Sequence, residues 1–235
     1  SIEAFDLSRA QSLGFVPSSQ GTPQVELQIG EAKMEEVKVD FGSGNGITAL
    51  RSKIDTTAIS NAGLISLGTA GVGLYGPQSD TVHYVYQDSL FISGNPIPPA
   101  ILRVRPLTEG LLGLRFWRQY IVTIDWGNNR LYFEPNGSSA LRKSSFGCGF
   151  EAVGDTVRLS ALSVPSPASE AGLRLGDELL SYDDTDLRAS DFCSFLEVMD
   201  ESDSVRLRLR RDDRVFSVVI ERRDLFAPVY QGRER

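Results

Sequence analysis

The chain has a single histidine, His83, and only two cysteines, Cys148 and Cys193, among its 235 residues. Each scarcity removes a class of chemistry. Two cysteines with no CxxC pair make neither a disulfide framework nor a zinc-ligand spacing. No metal and no cofactor is therefore expected, and both thiols are expected to be inert. A histidine-dependent triad would have to be built on His83, which sits in the alternating run 81–86 as an ordinary strand residue, and no GxSxG elbow accompanies it. No apolar run is long enough to span a bilayer, and the N-terminus lacks the basic-then-apolar pattern of a signal peptide, so the expectation is a soluble, mature or excised segment. Positive charge is also short. The 24 lysines and arginines against 31 aspartates and glutamates leave a net charge of −7, which disfavours broad attraction to phosphate backbones and points away from nucleic acid.

What is present is ordinary for a globular protein: 41% hydrophobic and 23% charged residues, with a length that suits two domains, each with its own core. The first part, to about Pro135, reads as β-rich. Residues 23–29 alternate Val25, Leu27 and Ile29 with polar residues, and 36–41 repeat the pattern with Val37, Val39 and Phe41. Further short strands are expected at 89–93, 100–104, 121–126 and 130–134, the last two joined by a Gly127-Asn128-Asn129 turn. Leu114, Phe116, Trp117 and Tyr120 suit a short helix on that sheet. Residues 136–145 are polar and end in small residues, which marks a boundary.

Beyond the boundary the rhythm changes. Residues 157–164 read as a strand. In 166–172, Ser166 is an N-cap, Pro167 stands at the first helical position and Gly172 closes a short helix. Phe192, Phe195, Leu196 and Met199 recur at helical spacing and predict a second, amphipathic helix from about Ser190. Val205, Leu207 and Leu209 alternate with Arg206, Arg208 and Arg210, and Phe216, Val218 and Ile220 alternate after Asp212-Asp213, a hairpin with one wet face. The arginines read as solvated outer positions countered by Asp212, Asp213 and Glu221.

Three glycine-rich stretches remain. Gly71, Gly73 and Gly76 match GxGxxG, but a β-like run follows where a dinucleotide site needs a helix N-terminus, so a hairpin tip is the better reading. In the second stretch Asp40 ends a strand and Phe41-Gly42-Ser43-Gly44 turn at once, which holds a carboxylate at a sharp bend with backbone N–H groups nearby. The third is Gly110-Leu111-Leu112-Gly113, which runs into the short helix and the 121–134 hairpin.

Taken in order over residues 21–135, the strand, Asp-x-Gly-Ser turn, glycine-rich segment, hydrophobic-hydrophobic-Gly motif, helix and hairpin resemble a lobe of the retropepsin- and pepsin-like aspartic peptidases. The resemblance implies that Asp40 is a catalytic carboxylate, that Gly42 and Ser43 belong to its turn, that Leu111, Leu112 and Gly113 support the turn from below, and that Gly71, Gly73 and Gly76 lie in or near a flap over the substrate. The family writes Asp-Thr-Gly or Asp-Ser-Gly, and Phe41 stands where its hydroxyl would be. Two carboxylates share a proton in that mechanism. This chain has one such turn, so the second acid comes from an N-terminal lobe or from a second copy of the chain, or the lobe is not catalytic.

The run Ser166-Pro167-Ala168-Ser169-Glu170-Ala171-Gly172-Leu173-Arg174-Leu175-Gly176-Asp177-Glu178-Leu179 resembles the signature of bacterial-type PDZ domains. The resemblance implies that Gly147, Cys148, Gly149 and Phe150 offer backbone N–H groups to a peptide that adds as a strand. The expected architecture is thus mainly β. An acid-protease-like β-barrel lobe at 21–140 follows a linker at 1–20, and a PDZ domain, a β-sandwich with two helices, spans 144–224 before a short tail at 225–235. Partners implied are a peptide or protein substrate and a second lobe or copy. A periplasmic or secreted location is implied by the family pairing alone.

Overall fold

A computed structural model of the chain describes residues 9–73, 76–107, 109–138, 144–227 and 229. The fold is mainly β, as the alternating patterns predict. In chain order the strands of the first half are β1 (Gln11–Gly14), β2 (Val16–Pro17), β3 (Pro23–Ile29), β4 (Ala32–Asp40), β5 (Ile47–Leu50), β6 (Leu64–Gly73) and β7 (Gly76–Gln87). They continue as β8 (Leu90–Ile92), β9 (Asn95–Ile97), β10 (Ala100–Arg105), β11 (Leu111–Gly113), β12 (Tyr120–Asp125) and β13 (Arg130–Pro135). The second half has β14 (Ser144–Ser145), β15 (Cys148–Val153), β16 (Thr156–Val164), β17 (Glu178–Tyr182), β18 (Thr185–Asp186), β19 (Ser204–Arg211), β20 (Arg214–Glu221) and β21 (Arg223–Asp224). The α-helices are short: α1 (Thr56–Ser60), α2 (Leu114–Trp117), α3 (Pro167–Glu170) and α4 (Phe192–Glu201).

The chain divides into two compact units, Ser1–Ala62 with His83–Leu141, and Gly63–Val82 with Arg142–Arg235. In the first unit the strands run β10-β5-β11-β4-β3-β8-β9, and β1, β13 and β12 form a separate three-stranded sheet. Val25, Leu27 and Ile29 face one core with Val39, Ile47, Leu102, Leu112, Trp117, Leu131 and Phe133. Strand β4 starts earlier than its alternation suggests. Val25 pairs with Val37 and Leu27 with Met34, so β4 spends one extra residue there, and Glu36 takes φ +59°. That bulge shifts the inward parity from Met34 to Val37 and hides the first half of the strand from a period-two reading. The strand also stops at Asp40, so Phe41 lies in the turn and not in the core.

The expected linker at 1–20 is corrected for its described part. Gln11–Gly14 pairs antiparallel with β13, and Leu13 and Phe15 are buried. Residues 1–8 lie outside the described residues. Four residues of β1 are too few to show a period, and only their partner strand makes them legible.

In the second unit β15, β16, β17, β19 and β20 are antiparallel neighbours. Val205, Leu207 and Leu209 are buried in one core with Leu159, Leu179 and Phe195, while the arginines of β19 face out. Ser166 caps α3 in a reciprocal capping box with Ser169, with Pro167 at the first position. Asp177 is buried in the turn before β17. It accepts the Arg174 N–H at 2.8 Å and a two-pronged contact from the Arg211 guanidinium, 2.7 Å to each oxygen.

Two expectations change here. The glycine-rich hairpin was expected within the first lobe. Residues 63–82 instead belong to the second unit, where Ile65, Ser66, Leu67 and Gly68 pair antiparallel with Val164, Ser163, Leu162 and Ala161. Gly68 has φ +88°, and a Cβ there would lie 2.1 Å from the Ser160 carbonyl oxygen, so the two backbones meet only because the side chain is missing. The expected tail at 225–235 is the other change. Leu225, Phe226 and Val229 are buried. Residues 228 and 230–235 lie outside the described residues.

Candidate functional site

Strands β4 and β5 are joined by residues 41–46, and β11 is inserted between the two, parallel to β4 and antiparallel to β5. The register sets Leu111 beside Lys38, Leu112 beside Val39 and Gly113 beside Asp40. Inserting a strand between two others already joined forces its end to pass beneath their loop. Gly113 does so: its N–H donates to Gly46 O at 3.0 Å, and the next two N–H groups, of Leu114 and Arg115, donate to Ser43 O at 2.7 Å and Asn45 O at 3.0 Å. A Cβ on Gly113 would stand 2.3 Å from Asn45 O and 2.9 Å from Ser43 O. Three backbone hydrogen bonds thus hang the loop from the start of α2, and a glycine is the only residue that permits the approach.

The loop holds Asp40 at its mouth. The carboxylate Oδ1 accepts the Gly42 N–H at 2.9 Å, and the Ser43 N–H reaches Asp40 O at 3.3 Å. Among the described residues no hydrogen bond reaches Oδ2, and Asp40 is half-buried. The Ser43 hydroxyl is used within the loop, accepting from the Asn45 N–H at 3.4 Å and from Asn45 Nδ2 at 3.2 Å. Phe41 is 37% exposed and leans on Trp117, ring centroids 5.8 Å apart. Trp117 is itself fixed by its Nε1–H, which donates to Leu112 O at 3.0 Å. The side chain that follows Asp40 is therefore an apolar seat on the motif below and carries no donor.

Asp40, Gly42, Ser43, Leu111, Leu112 and Gly113 are thus brought together in the first unit. Gly71 and Gly73 in β6 and Gly76 in β7 stand on neighbouring strands with no helix following, so no dinucleotide site is built there; Leu74 and Tyr75 lie outside the described residues. One supporting residue went unassigned. A Cβ on Gly110 would stand 2.3 Å from Met34 Cε and 3.0 Å from a Val37 methyl, and its carbonyl accepts the Lys38 N–H at 3.1 Å. Its place immediately before the Leu111-Leu112-Gly113 run was the signal. The first unit also has a cleft of about 510 Å³ bordered by Phe15, Val25, Glu26, Glu35 and Glu36, none of which the sequence marked as a site residue.

The second constellation is the loop before β15. Gly147 has φ +82° and sits so close to Ser166 that a Cβ would fall 2.2 Å from the Ser166 Cβ. Its N–H donates to Ser145 Oγ at 3.1 Å and its carbonyl accepts the Ser163 N–H at 2.7 Å. Cys148 and Gly149 open β15, and Phe150 is buried edge-to-face on Phe195 of α4 at 5.3 Å. Burial pushes the Cys148 thiol up to about 12, so it stays neutral through the ordinary pH range. Among the described residues no three His, Cys, Asp or Glu side chains are grouped to hold a metal ion, and no helix is long and apolar enough to cross a membrane.

No protein-family model matches the chain, and no characterised protein matches it by sequence. Several solved structures are distantly similar. A retropepsin-like aspartic protease from Rickettsia conorii aligns at 13% identity and a TM-score of 0.38, over 66% of this chain and 95% of that one. The HtrA-type protease AlgW with a tripeptide aligns at 13% identity and 0.29, over 68% and 65%. A serine endoprotease from Yersinia pestis aligns at 14% identity and 0.29, over 89% and 79%. These proteases differ in catalytic type, and scores this low establish no shared fold.

Proposed function

We propose that the first unit is one lobe of an aspartic endopeptidase and that Asp40 is one of its two catalytic carboxylates. A single observation carries this reading: Gly113 passes under the loop that presents Asp40, with three backbone hydrogen bonds fixing the carboxylate's loop to the strand and helix beneath. In such a site two acids share a proton. One carboxylate takes a proton from water as the water attacks the scissile carbonyl, and the other donates to the carbonyl oxygen. This chain supplies Asp40 for one role. The other acid comes from an N-terminal lobe or from Asp40 of a second copy. The Gly42 N–H bound to Oδ1 orients the carboxylate.

The test is to incubate the purified chain with a mixed peptide library at mildly acidic pH, beside Asp40→Asn, and read new termini by mass spectrometry. Cleavage lost in the variant supports Asp40 and a site completed by two copies. Cleavage undiminished in the variant removes Asp40 from the mechanism. No cleavage by either protein leaves a site that needs an upstream lobe, and the same pair is then compared in the complete protein.

A second reading is favoured by its own observation: Phe41, which carries no donor, stands beside the carboxylate, while among the described residues β15 pairs only with β16 and packs on α4. Here the first unit is a non-catalytic scaffold and the second is a PDZ-type module that binds peptides by strand addition. Peptide binding that survives with Asp40→Asn, together with the absence of cleavage in the complete protein, selects this reading.

A further inference from the structure

Two Asn-Gly pairs, Asn45-Gly46 and Asn136-Gly137, stand in loops of the first unit. Asparagine before glycine is chemically labile, because a nitrogen next to a residue without a Cβ can reach the asparagine side-chain carbon. The reaction needs a polarised side-chain carbonyl lying over that nitrogen and a glycine free to turn. The structure supplies these to one pair and withholds them from the other.

Asn45 is held in its starting position. Its carbonyl accepts the Arg115 N–H at 3.0 Å and the Gly46 carbonyl accepts the Gly113 N–H at 3.0 Å, so the Asn45–Gly46 peptide is fixed on both sides. Asn45 Nδ2 turns back to donate to Ser43 Oγ at 3.2 Å, the same oxygen that its backbone N–H reaches at 3.4 Å. Among the described residues nothing donates to Asn45 Oδ1.

Asn136 is arranged differently. Its Oδ1 accepts the Ser138 N–H at 2.9 Å, which closes a turn over Gly137, folds Cγ above the Gly137 nitrogen and polarises the side-chain carbonyl. Asn136 itself is anchored, its N–H donating to Gln119 O and its Nδ2 to Arg118 O, each at 2.9 Å. Gly137 is not: among the described residues neither its N–H nor its carbonyl has a hydrogen-bond partner, and residues 136–138 are exposed.

We propose that Asn136 is a site of spontaneous deamidation in the folded chain, and that suspension of the Asp40 loop from β11 and α2 protects Asn45 from the same reaction. This goes beyond the peptidase reading and holds whether or not Asp40 is catalytic. The Gly137 nitrogen gives its proton to solvent base and bonds to Asn136 Cγ. The Cγ–Nδ2 bond breaks, and ammonia leaves with a proton from water. Water then opens the succinimide, at the new bond to give aspartate or at the original peptide bond to give isoaspartate. Either product carries a new negative charge and has lost the Nδ2 donor, and with it the tie from the end of β13 to Arg118 O.

The full chain is aged at mildly alkaline pH, folded and in urea, and digests are read over time by mass spectrometry that separates asparagine, aspartate and isoaspartate at both positions. In urea both pairs are expected to convert at like rates. In the folded chain residue 136 is expected to convert no more slowly than in urea, and residue 45 roughly tenfold or more slowly, since hydrogen bonds of the suspended loop must open first. Ser138→Pro, which removes the N–H that polarises Oδ1, is expected to slow residue 136 in the folded chain by roughly fivefold, the worth of a neutral hydrogen bond. Residue 45 converting as fast as residue 136 in the folded chain, or residue 136 staying amidated there while it converts in urea, overturns the inference. So does an unchanged rate at residue 136 in Ser138→Pro, because the turn is then not the cause.

Discussion

Gly113 in the first unit and Gly147 in the second each stand where a Cβ would collide with a neighbour, at 2.3 Å from Asn45 O and at 2.2 Å from the Ser166 Cβ. The obstacles differ in kind. Asn45 O belongs to the backbone of the very loop that Gly113 suspends, so nothing can move without releasing that loop. The Ser166 Cβ and Oγ belong to a side chain, and the cost at Gly147 is shared between that clash and a φ of +82°. A close approach to backbone is absolute, whereas a close approach to a side chain can be relieved by substituting the side chain.

The largest effect is expected from Gly113→Ala, which forces the strand out from beneath the Asp40 loop. We expect a loss of roughly 3–5 kcal/mol, seen as an early unfolding transition, with the second unit's transition left in place. A wild-type transition in that variant would mean the loop is not hung from Gly113. Next is Gly68→Val, at a glycine that also faces a backbone oxygen. Its signature is faster amide exchange at 65–68 and 161–164, with the β19–β20 hairpin still protected.

Gly147→Ala is expected to cost about 2 kcal/mol, and adding Ser166→Gly should return part of it, because the clash disappears while the positive φ remains. A double variant no better than the single one would show that conformation, not contact, requires the glycine. Asp177→Asn should cost about 2 kcal/mol in chemical unfolding, since the buried acceptor of the Arg211 fork loses its charge.

The smallest effect separates the two cysteines. At pH 8 an alkylating agent should modify the exposed Cys193 and spare Cys148 in the folded chain. The folded Cys148 is raised from 9.0 to about 12, so its contribution to stability is complete below pH 9 and is lost as pH climbs towards about 12. Equal modification of both thiols at pH 8 would show that the strand carrying Cys148 opens readily.

Local pattern was enough wherever a residue's neighbours in sequence are also its neighbours in space. The inward faces of β3 and β19, the spacing of Phe192, Phe195, Leu196 and Met199 on α4, and the Ser166-Pro167 start of α3 were all legible for that reason. The grouping of Asp40 with Leu112 and Gly113 was not legible in this way, because the two segments are far apart in sequence; only the family resemblance implied it, and the pairing of β4 with β11 brings them together. The β4 bulge defeated the period, since one inserted residue reverses which face is buried.

The sequence by itself determined a mainly β chain with a carboxylate at a glycine-rich bend and a second, capped and alternating half, because periodicity, turn chemistry and capping act over a few residues. Only the tertiary structure decided that residues 63–82 pair with β16, that Gln11–Gly14 and Leu225 are packed elements, and that the Gly147 N–H is taken by Ser145. Those are choices of hydrogen-bond partner between segments far apart in sequence, or, at Ser145, of side-chain rotamer. Composition and spacing leave such choices open until the chain has closed on itself.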